Sequence, residues 1–122
     1  VSGRFEALMA EAIAGAERFG HREHVRLTWL AVTRHGAPDA LALIGGGIRR
    51  AAPAMYHATM TRAWVEIVAR HAAEVADPDV DAFLARCPDL LDKRLLDRHY
   101  RPATLAAPAA RAGWVPPDLR PI

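Results

Sequence analysis

With 122 residues, 52% of them hydrophobic and 25% charged, the chain has the size and material for one ordinary domain, which excludes wholesale disorder. Sixteen basic residues against fourteen acidic ones leave a formal charge of +2, too balanced for a nucleic-acid binder, although residues 86–122 carry seven basic side chains against four acidic. A single cysteine, Cys87, excludes an intrachain disulfide, and neither a leader-like pattern nor an apolar run of the roughly 20 residues needed to cross a bilayer is visible, so the expectation is a cytoplasmic protein without membrane or nucleic-acid partners.

Residues 4–16 are the first predicted helix, with Phe5, Leu8, Met9 and Ile13 at helical spacing; Gly15 and Gly20 then open a connection. A second helix is predicted over 22–35, with Val25, Trp29 and Val32 on one stripe and Gly36 as its stop. The third, over 39–51, contains Gly45-Gly46-Gly47. Each glycine there costs about 1 kcal/mol relative to alanine, so the run predicts a bend or a close helix crossing. It matches neither a Walker A loop nor a dinucleotide fingerprint. After Pro53 a fourth helix is predicted over 57–75, with His57, Thr61, Trp64, Val68 and His71 near one face. Asp77-Pro78-Asp79 starts a short segment holding Val80, Phe83 and Leu84, and a further helix is predicted over 89–99. Five prolines from Pro102 to Pro121 divide residues 101–122 into short turns, a strap fastened by Tyr100 and Trp114. The expected fold is all-α: a compact single-domain bundle of about five helices with a proline-rich C-terminal strap.

Polar chemistry concentrates in histidines. His21, His24 and Thr28 stand three and four residues apart and share a helix face. His57 sits at a helix start, where free backbone N–H groups favour neutral imidazole, the form a metal ligand or general base needs. If the second and fourth helices pack together, His21, His24 and His57 converge. Three histidines suffice in number for zinc, and imidazole also suits iron, nickel and copper. Three readings follow: a transition-metal site formed by His21, His24 and His57; a metal-free pocket for a small polar or anionic molecule, with His57, Tyr56 and Thr61 as catalytic candidates for proton transfer; or a non-catalytic structural or protein-interaction module whose histidines satisfy the core or a subunit interface. Arg26 reads as a salt-bridge residue or an anion anchor, and Cys87 has no visible base or second cysteine. The alanine-rich core and large tryptophans also suggest a homodimer.

Four segments together carry a resemblance: FGHREHVRLTWLAV at 19–32, GIRRAA at 47–52, YHATMTRAW at 56–64, and PDLLDKRLLDRHYRPATLAAPAARAGWVPPDL at 88–119. They resemble a family of small, largely uncharacterised bacterial helical proteins with FxHxxHxRxxW and YHxTxTxAW segments. The resemblance implies a helical fold, polar family positions at His21, His24, Tyr56, His57, Thr59 and Thr61, and a tail tyrosine at Tyr100. It also implies a glutamate after the histidine of the YH segment, where this chain has Ala58, removing a carboxylate ligand or base.

Overall fold

The computed structural model describes residues 2–122, and these form an all-α bundle without strands. Seven α-helices occur in order: α1 (Ser2–Ala12), α2 (His21–His35), α3 (Ala37–Ala51), α4 (Ala58–Glu74), α5 (Val80–Arg86), α6 (Pro102–Ala106) and α7 (Pro108–Ala112). Short 3₁₀ turns cover Pro53–Met55, Pro88–Leu91 and Leu95–Arg98.

Helix α2 is the centre, packed against α1, α3 and α4. Its inward residues Val25, Leu27, Thr28, Trp29, Leu30 and Ala31 are all buried, against Ile44 of α3 and Trp64, Val65 and Val68 of α4. At about 25 cal/mol per Å² of apolar surface removed from water, such side chains carry most of the stabilisation. The helix starts at Gly20, whose N–H donates to the Glu23 carboxylate (2.9 Å), and stops at Gly36, where a φ of 83° is one that glycine adopts without penalty.

Two elements differ from the sequence expectation, and the triple glycine makes the close crossing that it predicts. Helix α1 ends at Ala12, not 16, in a turn that uses a φ of 79° at Gly15. The triple glycine does not break or end α3: Gly45, Gly46 and Gly47 are all helical. It serves a crossing, since a Cβ built on Gly47 would stand 2.3 Å from Phe5 Cε1 of α1. The predicted helix over 89–99 divides into two 3₁₀ turns, because Asp92 takes the N–H of Arg94 onto its own carboxylate (2.9 Å) and makes a local turn there.

The strap contains α6 and α7, each begun by a proline whose missing N–H costs nothing in a first turn. Tyr100 is fully buried and donates its hydroxyl to the Val115 carbonyl (2.6 Å), while the Arg62 guanidinium lies over the Trp114 ring at 4.1 Å. The tyrosine hydroxyl thereby holds the strap. Burial pushes its pKa up to about 12, with Glu66 adding to the rise.

Candidate functional site

The start of α4 places His57. Its backbone is extended (φ −137°, ψ 110°), as an N-cap requires, and its Nδ1 accepts the Met60 N–H (3.1 Å). Since Nδ1 accepts, the ring proton of neutral imidazole lies on Nε2, which donates to the Leu105 carbonyl at 2.8 Å. Both nitrogens are therefore used, one to start a helix and the other to hold α6.

His21 opens α2 and donates Nε2–H to the Leu90 carbonyl (2.8 Å), tying α2 to the 3₁₀ turn at Pro88–Leu91. Its ring stands 4.9 Å from the Trp64 ring and 6.4 Å from that of His24. The hydroxyls expected beside these rings turn back onto their own helices: Thr28 donates to the His24 carbonyl and Thr61 to the His57 carbonyl, each at 2.8 Å. Tyr56 lies against Gly45 of α3 with the Arg49 guanidinium 4.8 Å over its ring.

This arrangement corrects the metal and polar-pocket expectations. Among the described residues, no three His, Cys, Asp or Glu side chains gather closely enough to hold a metal ion. His21, His24 and His57 form no metal centre for zinc, iron, nickel or copper and no histidine cluster for a small polar ligand or proton transfer. The physical reason is competition: main-chain groups take Nε2 of His21 and both nitrogens of His57, and a ring holding a backbone N–H has no lone pair left there for a metal or a substrate proton. Of the expected catalytic candidates, Tyr56 packs against α3 and the Thr61 hydroxyl bonds within the first turn of α4.

Other side chains also serve the fold. Arg26 pairs with Asp81 (2.8 Å) and donates to the Ala12 carbonyl (3.1 Å), which is the salt-bridge reading. Cys87 is buried, and burial followed by nearby Asp77 pushes its thiol pKa up, opposite to the shift that activates a nucleophile. Thr59 donates to the Gly113 carbonyl (2.7 Å) and accepts the Val115 N–H (3.0 Å), so one hydroxyl clamps the strap.

One of the surface depressions is an apolar cleft of about 360 Å³ between α1, α2, α3, the Pro53–Met55 turn and α4. Phe5, Leu27, Ile48 and Trp64 form its walls, and Met9, Met55 and Met60, the protein's three methionines, all line it. No Asp, Glu, Lys or Arg does. His24 lies on its wall between Phe19 and Trp64, each ring centroid 6.4 Å away. Among the described residues no hydrogen bond engages the His24 ring, and burial, followed by the nearby His21, depresses its pKa to about 4. An adjoining depression shares Phe5, Met9, Gly47 and Ala51 and reaches Ile13, with Glu6 and Arg50 also in its lining.

The cleft was not expected from the sequence. Phe5 and Met9 fit an ordinary helical stripe, and Phe19 and Met55 stand in connections where no periodicity applies. Their signal is a large apolar residue in a connection: Phe19 is 43% exposed and Met55 77%. In comparisons with protein-family models, curated proteins and solved structures, nothing matches the chain.

Proposed function

We propose that this chain is a non-catalytic protein-interaction module that self-associates through the cleft face, with the rings of His21 and His57 spent on the fold. The observation that carries this reading is the gathering of exposed large apolar side chains. Of the six among the described residues, Ile13, Phe19, Met55 and Met60 lie on the cleft or its adjoining depression, and Leu91 and Leu119 lie elsewhere. Contiguous apolar surface of this kind marks an interaction site.

A second copy is the partner that suits the face. A two-fold dimer brings the same patch of each subunit together and so requires a patch that complements itself. Here a protruding side chain, Met55, stands beside a hole walled by Phe5, Leu27 and Ile48, so knob and hole occur on one surface. Methionine, unbranched and polarizable, adapts to such a hole without strict shape matching. The family resemblance adds a second expectation, that relatives bearing the same segments share this helical scaffold.

Sedimentation equilibrium over a wide concentration range tests the reading. The wild type is expected to pass from monomer to dimer with rising concentration, and a Phe19→Ser, Met55→Ser double variant to stay monomeric with unchanged helix content. A wild-type mass that stays monomeric throughout would overturn it.

A further inference from the structure

We infer that the cleft is also a binding site for an uncharged, mostly apolar small molecule whose one polar end hydrogen-bonds the His24 imidazole. This rests on the same open face as the self-association reading. The volume of about 360 Å³ falls in the range of about 300–1,000 Å³ typical of small-ligand sites, and apolar walls with a few placed polar groups are their usual build.

The polar groups in the lining specify the ligand. His57 and Thr61 have spent their hydrogen-bonding atoms on Leu105, Met60 and their own helix. No hydrogen bond from the described residues engages the His24 ring, which is packed between Phe19 and Trp64. Its nitrogens are not sealed in the protein, since the buried side-chain polar atom left without a partner among these residues is Asp77 Oδ2. His24 is itself one of the residues that line the cleft. A neutral imidazole offers one donor and one acceptor, so a hydroxyl or an indole-type N–H suits it. A carboxylate or an ammonium does not: the lining holds no formal charge, and an unpaired ion taken out of water costs far more than one hydrogen bond returns. The low pKa of His24 agrees, because the ring carries no positive charge at neutral pH to attract an anion.

A matched series of probes tests this: 1-naphthol, naphthalene and 1-naphthoate present one ring system with a neutral hydrogen-bonding group, no polar group, or a charge. Each is titrated calorimetrically at neutral pH into protein dilute enough to be monomeric by sedimentation. The expected result is one site per chain, with 1-naphthol bound about three- to tenfold more tightly than naphthalene, the value of one hydrogen bond, and 1-naphthoate at least about tenfold more weakly than naphthol. His24→Phe should remove the preference for naphthol and keep naphthalene binding. Ala51→Trp, placed on the exposed surface of α3 at the cleft wall, should abolish both with the circular dichroism unchanged. No saturable binding of either neutral ring by folded wild type would overturn the inference, as would naphthoate binding equal to that of naphthol or a naphthol preference that survives His24→Phe. Since the titration uses the monomer, its failure leaves self-association standing. Naphthol binding by a protein that never dimerises would overturn self-association alone.

Discussion

The Nε2 of His57 donates to the Leu105 carbonyl at 2.8 Å, while Nδ1 of the same ring accepts the Met60 N–H at 3.1 Å. One side chain thus caps α4 and holds α6 across 48 residues of sequence. His57→Ala is expected to lower stability by about 2 kcal/mol, from a lost N-cap and a lost cross-chain bond of about 1 kcal/mol each. His57→Asn, whose short amide can still cap, should recover about half. Urea denaturation measures both values. Zinc added to wild type should leave its melting temperature unchanged; a stoichiometric zinc-dependent rise would reinstate the metal reading.

The three glycines of α3 are not equivalent. A methyl group on Gly47 meets the Phe5 ring at 2.3–2.5 Å, whereas on Gly46 it meets only the end of the flexible Arg50 side chain at 3.3 Å. Gly47→Ala should destabilise by about 1–2 kcal/mol, overpacking outweighing the gain in helix propensity. Gly46→Ala should stabilise by about 0.5–1 kcal/mol through propensity alone. Thermal melts of the two variants should therefore shift in opposite directions.

Acid should weaken the fold through His24. Its folded pKa of about 4 lies below the unfolded value of 6.5, so above pH 6.5 the ring is neutral in both states and has no effect on stability. As pH falls from about 6.5 to about 4, the unfolded chain takes up a proton that the folded one refuses, and stability drops by on the order of 3 kcal/mol. Stability measured by denaturant titration at a series of pH values should show this slope in wild type and a flatter one in His24→Phe between pH 6.5 and 5. Equal slopes would place the titration elsewhere.

The Thr59 hydroxyl serves both the Gly113 carbonyl and the Val115 N–H. Replacing it by valine keeps the shape and leaves two backbone groups unpaired, at a cost of about 1–3 kcal/mol. Hydrogen exchange should show the Val115 amide and its neighbours losing protection before α2 does. Uniform loss across the chain would mean that the strap and the bundle open together.

The helices were legible because α2 and α4 repeat apolar residues at helical spacing and because Gly36 and the prolines mark their ends. The strap was legible through Tyr100 and Trp114, too large and apolar to leave a tail free. The roles of the histidines were not: HxxH spacing fixes a shared helix face, but whether a ring nitrogen meets a metal or a carbonyl depends on Leu90 and Leu105, which are 69 and 48 residues away from their histidine partners. The cleft was hidden for a related reason. Its walls come from four helices, α1 to α4, and two connections, and neither Phe19 nor Met55 belongs to any periodic stripe.

The three methionines supply the most direct test, because Met9, Met55 and Met60 all line the cleft. In protein labelled with carbon-13 at the methionine methyl groups, each of the three resonances reports on the proposed interface. If the face joins two copies, all three should shift or broaden as concentration rises, and Phe19→Ser should suppress the change in the Met9 and Met60 signals. Three resonances that stay unchanged from micromolar to millimolar protein would contradict the account.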